Sequence, residues 1–212
     1  MSLSPEKPRQ PARPPRRLLV AGLGNPGAQY EMTPHNLGFM TVDRLAERNG
    51  IRVVRKEAQA VVGLGRLGET EAVLAKPQTF MNLSGGSVRA LLEKYEMGPE
   101  NLLLVYDELA LPWMQIRIRP KGSDAGHNGV KSVARSLGTE NFARLRLGIH
   151  PGRPIGDGAK FVLDPIRKAQ WKELDELLER SAQAVESIAA EGVEKAMATY
   201  NRRAQGSLEG EQ

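Results

Sequence analysis

Apolar side chains along this chain alternate between two periods, and the changes of period mark its elements. Residues 18–23 form an apolar run that leads into Gly24-Asn25-Pro26-Gly27, the pattern of a buried first strand entering a tight turn. Helical spacing follows over 37–49, with Gly50 as its stop. Residues 51–54, 60–67 and 72–75 read as three further strands, the last two joined by Gly68-Glu69-Thr70. Val88, Leu91, Leu92 and Tyr95 stand at i, i+3, i+4 and i+7 and predict a helix over 84–97. Residues 102–106 are wholly apolar and predict a central strand closed by Asp107. Alternation at 115–119 and 144–149 predicts half-buried strands on either side of a helix carrying Val130, Val133, Ala134 and Leu137. Leu174, Leu177, Leu178, Val185 and Ile188 extend an amphipathic helix over about 165–190, and a short helix over 193–200 ends the pattern. Strands alternating with helices predict an α/β fold, a single-domain sandwich with a central twisted, mixed and mostly parallel sheet flanked by helices.

A length of 212 residues suits one such domain. The chain has no cysteine, which excludes disulfide frameworks, thiolate metal sites and cysteine nucleophiles. No apolar run approaches the ~18 residues of a membrane span, and the N-terminus lacks a secretory pattern, so a soluble cytoplasmic protein is expected. The formal net charge is +5, and its placement matters more than its size. Residues 1–17 hold five basic side chains against Glu6, with Pro5, Pro8, Pro11, Pro14 and Pro15 among them. Such a stretch cannot bury a core, so 1–17 and 203–212 are expected to be disordered tails around a domain at 18–202. Residues 117–146 carry seven basic side chains against Asp124 and Glu140, whereas 171–200 carry seven acidic against three basic. The folded body should therefore be polarised, with a cationic face suited to nucleic acid.

Gly22-Leu23-Gly24-Asn25-Pro26-Gly27 formally matches a dinucleotide-binding turn. Pro26 removes a backbone donor there, and eight residues separate the turn from the next helix, so no helix N-terminus faces it directly. His35 lies on the following loop, and Asp107 closes an apolar strand, where a carboxylate requires a partner. A histidine oriented by an aspartate is a general-base unit able to deprotonate water. An ordinary surface position is the alternative for His35, a turn cap for Asn25 and a helix N-cap for Asn128. With Asn82, these two amides would give a crevice neutral donors and acceptors for a peptide backbone and a carbonyl oxygen. The chain contains no G-x-S-x-G, H-E-x-x-H or Walker loop, and three histidines supply a metal cage poorly, so no metal or other cofactor is expected.

Six ordered segments, from Gly22–Gly27 with Tyr30-Glu31, through His35-Asn36, the run from Lys76 to Gly85, Asp107-Glu108-Leu109 and Gly126-His127-Asn128-Gly129, to the run from Arg144 to Ile149, resemble the bacterial-type peptidyl-tRNA hydrolases. The resemblance covers about residues 18–202. It implies hydrolysis of the ester between a peptide and the 3′-terminal ribose of tRNA. It also implies that His35 is the general base and Asp107 its orienting carboxylate. Asn25, Tyr30, Met81, Asn82 and Asn128 match substrate-positioning residues, Arg119 and Arg146 match basic positions that clamp the tRNA 5′-phosphate, and 151–160 match a mobile lid. The expected partner is peptidyl-tRNA, bound by a monomer with no membrane association. Pro34, Ala110, Trp113-Met114 and Ala125 depart from the family pattern; Pro34 replaces an arginine beside the base, and Ala125 a glycine. Two readings compete with the enzyme: a non-catalytic RNA-binding relative of the same fold, and a nucleotide-dependent oxidoreductase resting on Gly22–Gly27.

Overall fold

The computed structural model describes residues 16–201. The expected tails lie outside the described residues except for Arg16 and Arg17, and Arg17 already belongs to the first strand. The strands are β1 (Arg17–Gly22), β2 (Arg55–Glu57), β3 (Ala60–Leu67), β4 (Thr70–Pro77), β5 (Leu102–Pro112), β6 (Ile116–Arg119) and β7 (Ala143–His150). They form one seven-stranded sheet in the order β2-β3-β4-β1-β5-β7-β6. The central pairs β4–β1, β1–β5 and β5–β7 are parallel, and the outer pairs are antiparallel. The helices are α1 (Leu37–Arg48), α2 (Ser84–Lys94), α3 (Asn128–Leu137), α4 (Gly158–Phe161), α5 (Trp171–Glu191) and α6 (Val193–Tyr200).

Strand alternation divides the core into two layers. Val20, Leu103, Val105 and Leu145 pack on one face with Val42 and Leu45 of α1 and Leu177 and Val185 of α5. Leu19, Ala21, Leu104 and Tyr106 pack on the other with Val88 and Leu91 of α2 and Val130 and Val133 of α3. Truncating one of these buried leucines to alanine costs about 2–5 kcal/mol. The helices after the neighbouring strands β1 and β4 thus pass to opposite faces, which opens a crevice at the strands' carboxyl ends. Gly22 and Gly38 allow β1 and α1 to touch there: a Cβ on Gly22 would lie 2.2 Å from the Gly38 carbonyl oxygen. A Cβ on Gly24 would lie 2.7 Å from the Phe39 ring. These glycines serve strand–helix packing, which accounts for the turn without a nucleotide.

Three expectations are corrected. Residues 51–54 are loop, and the edge strand is the polar segment Arg55–Glu57. Ile51 leaves the sheet's plane to fill the space over Gly63 and Gly65. β5 runs to Pro112, so Asp107 lies within the strand. Its pairing with β1 stops at Val105, while its pairing with β7 continues. The long helix begins at Trp171 rather than near 165. Its acidic face is matched by α1: Arg44 pairs with Asp175 and Glu179, and Arg48 with Glu179 and Glu186. Asn201 covers the free edge of β6, accepting from the Ile118 N–H at 2.9 Å and donating to its carbonyl at 3.1 Å.

Candidate active site

A cavity of about 590 Å³ occupies the crevice and is lined by Asn25, Tyr30, His35, Met81, Asn82, Asp107 and Asn128. His35 enters it from a 3-10 turn, Pro34–Asn36, whose fixed φ at Pro34 suits the turn's first position. The His35 backbone N–H donates to the Val162 carbonyl at 3.0 Å. Its Nδ1 lies 3.0 and 3.2 Å from the two Asp107 carboxylate oxygens. Asp107 has only 2% of its surface exposed, so partners are obligatory.

The second partner is His127, which sequence reasoning quoted in a motif but gave no role. Its Nε2 lies 3.0 Å from Asp107 Oδ1. Its Nδ1 accepts from the backbone N–H groups of Gly129 and Val130, at 3.2 and 3.4 Å, as the N-cap of α3. A ring nitrogen that accepts carries no proton, so His127 is the neutral tautomer with its hydrogen on Nε2, and it donates to Asp107. Asp107 then accepts from His35 Nδ1 as well, so in the neutral imidazole the His35 lone pair lies on Nε2. Burial pushes the Asp107 carboxyl up, but the N–H groups of His127 and His35 that point at it outweigh burial and hold it below the usual carboxylate range. The His127 ring is fixed between the rings of His35 and Tyr106, each with its centroid 4.9 Å away.

Among the described residues, His35, Asp107 and His127 form the cluster that could hold a metal ion, with ligand atoms within 4.8 Å of one another. Both imidazole atoms facing Asp107 bear hydrogens in the bonding pattern just derived, whereas ligation requires lone pairs there. The donor set fits a proton network better than a metal.

The amides divide their tasks. Asn36 Oδ1 accepts from the Asn25 N–H at 2.8 Å, and its Nδ2 donates to the Asn25 carbonyl at 3.0 Å, which pins the turn to the helix entry. Asn25 Oδ1 accepts from the Met81 N–H at 2.8 Å. Its acceptor is thus engaged in the fold, and its NH₂ is the group left for a ligand. Asn82 and Asn128 are exposed on the cavity wall. The capping alternative for Asn128 fails, because His127 is the cap and Asn128 is the first residue of α3. Ala125 keeps a left-handed φ of 49° despite its Cβ, next to Gly126 at 83°. Such strain costs about 1–2 kcal/mol.

Arg119 and Arg146 lie outside the cavity, on the sheet edge beside it. Register pairs Arg117 with Arg146 and Arg119 with Arg144, so four guanidiniums share one face. Arg144 is fully buried and donates to the Ser123 and Glu140 carbonyls at 2.9 and 3.0 Å, over the Phe142 ring. Arg146 faces one carboxylate, Glu108 at 3.5 Å, and Glu108 also lines the cavity. Burial and the charges of Arg117 and Arg146 lower the Arg119 pKa, the mark of crowded cations.

Comparison with known proteins points to one family. The family model described as peptidyl-tRNA hydrolase matches residues 19–207. A peptidyl-tRNA hydrolase of Solibacter usitatus is 59% identical over 89% of this chain and 96% of its own, and one of Koribacter versatilis is 47% identical over 87% and 92%. The crystal structure of peptidyl-tRNA hydrolase from Acinetobacter baumannii superposes with a TM-score of 0.80 at 33% identity, covering 87% of this chain and 94% of that one. By the extent of these matches, the chain belongs to the peptidyl-tRNA hydrolase family.

Proposed function

We propose that this chain hydrolyses the ester joining a peptide to the 3′-terminal ribose of tRNA, releasing free tRNA and peptide. The observation that carries the reading is the His35–Asp107–His127 network at the cavity wall, with one imidazole nitrogen left basic. His35 Nε2 takes a proton from water, and the water oxygen bonds to the ester carbonyl carbon. The amide donors of Asn25, Asn82 and Asn128 meet the oxyanion, and Asp107 stabilises the imidazolium. Collapse breaks the bond to the ribose oxygen, which takes the proton back from His35. Tyr30 and Met81 shape the peptide side. Arg119 and Arg146 hold the tRNA phosphate, and 151–160, whose Gly158 and Ala159 line the cavity, close over it as a lid.

No helix among the described residues is long and apolar enough to cross a membrane. We place the protein in the cytoplasm as a monomer. The deciding experiment measures free tRNA released from an N-acetyl-aminoacyl-tRNA with EDTA present. Turnover by the unaltered chain and its loss in His35→Ala are expected. Binding without release would leave the RNA-binding reading instead, and abolition by EDTA would assign a metal to the cluster.

A further inference from the structure

Pro34 and His35 are chain neighbours that face different cavities, and so are Phe161 and Val162. The hydrogen bond from the His35 N–H to the Val162 carbonyl, 3.0 Å long, joins the two segments into one partition. Behind it lies a second cavity of about 520 Å³, within the ~300–1,000 Å³ range of small-molecule sites. Pro34, Trp113, Ile149 and Phe161 give it an apolar and aromatic side, and Arg153, Asp164, Arg167 and Gln170 a polar one. The Trp113 ring is held in place, since its indole N–H donates to Glu173 at 2.6 Å and its backbone N–H to the His150 carbonyl at 2.9 Å. Arg153 and Arg167 stand at the exposed mouth, and neither takes part in an ion pair among the described residues. Asp164 is the one carboxylate on the lining, so the mouth keeps an excess of positive charge.

We propose that this second cavity binds an aromatic or heteroaromatic anion, with its ring against Trp113 and Phe161 and its anionic group between Arg153 and Arg167. A flat ring gains most where apolar walls are already fixed, and two unpaired guanidiniums give charge-assisted bonds to a phosphate, sulfonate or carboxylate. A neutral aromatic leaves the guanidiniums unused, and a bare inorganic anion leaves the walls empty. The chemistry is shared by a nucleotide and by an aromatic peptide residue bearing a free carboxylate. An occupant would press on the same partition that seats His35.

The test does not use hydrolysis, so its outcome is separable from that of the proposed reaction. Trp171→Phe leaves Trp113 as the single tryptophan of a chain that has two. Titration with 1-anilinonaphthalene-8-sulfonate should quench Trp113 saturably, and the double variant Arg153→Ala/Arg167→Ala should bind at least about tenfold more weakly. Both arginines are exposed, so the double variant should fold. Displacement of the probe by AMP assigns the site to nucleotides, and displacement by N-acetylphenylalanine assigns it to peptide carboxylates. No saturable quenching, unchanged affinity in the double variant, or displacement by neither compound overturns the proposal.

Discussion

Asp107 and Glu108 are neighbours on β5 whose side chains alternate across the sheet, and they serve regions of opposite electrostatic design. Around Asp107 one buried carboxylate meets two imidazoles, and each N–H in the network has an acceptor. Around Glu108 a single carboxylate faces an edge carrying four arginines, and Arg146 is its ion-pair partner. The first region is closed and neutral enough to hold one tautomer. The second keeps cationic charge in excess, a field that attracts an anion from outside. Under the proposed function, chemistry and binding rest on adjacent residues with little shared machinery, and substitutions should separate them.

The largest effect should come from His35→Ala. Removing the imidazole nitrogen whose lone pair no backbone N–H engages should lower kcat by roughly 10²- to 10⁴-fold with KM nearly unchanged. Steady-state kinetics on N-acetyl-aminoacyl-tRNA measures both, and an equal rise in KM would merge the two regions that the structure keeps apart.

Asp107→Asn should come next, at about 10²-fold in kcat, because the amide carries no charge to stabilise the imidazolium and its NH₂ replaces the second oxygen, 3.2 Å from His35 Nδ1. It also has a pH signature. The folded-state carboxyl lies below the usual range, so ionised Asp107 contributes stability that is fully present above the unfolded value of about 3.9 and is lost as pH falls through the folded one. The stability gap between parent and Asp107→Asn should be widest at neutral pH and shrink below about pH 4. Urea unfolding at several pH values reads this, and a gap that widens in acid would reverse the sign assigned to Asp107.

The same contrast explains what was legible in the sequence. Residues 60–67 and 193–200 matched their elements to the residue, because their limits coincide with turns that the chain itself encodes at Gly68-Glu69 and Gly192. Asp107 reads as a strand end because the apolar run stops there, whereas β5 continues through pairing with a strand some 40 residues later, which no local pattern reveals. Residues 51–54 are rich in strand formers, yet Ile51 goes to the gap left by two distant glycines. His127 was missed because histidine is an uncommon helix cap, and its second bond depends on a carboxylate 20 residues earlier. The engagement of Asn25 Oδ1 by the Met81 N–H was hidden for the same reason.

Asn128→Asp sharpens the cavity side of the comparison. Because His127 is the cap, the melting temperature should stay nearly constant. The change removes an amide donor and places a negative charge beside the developing oxyanion, so kcat should fall by about tenfold or more. Full activity would remove Asn128 from the site.

The smallest effect on rate, and the cleanest break between the regions, is expected at the arginine face. Arg146→Ala and Arg119→Ala should each raise KM several-fold, leave kcat within about twofold, and make the slope of log affinity against log salt shallower by about one. Arg144 shares their face but is fully buried on two backbone carbonyls. Its replacement by leucine should leave the Ser123 carbonyl without its donor and the Glu140 carbonyl with the Phe142 N–H alone, and cost about 1–3 kcal/mol of stability, with the salt slope unchanged. Measuring unfolding and salt dependence on all three variants tests the assignment directly. A shallower slope in Arg144→Leu would mean that the buried arginine also reaches phosphate, and an unchanged slope in Arg146→Ala would take the clamp away from this edge of the sheet.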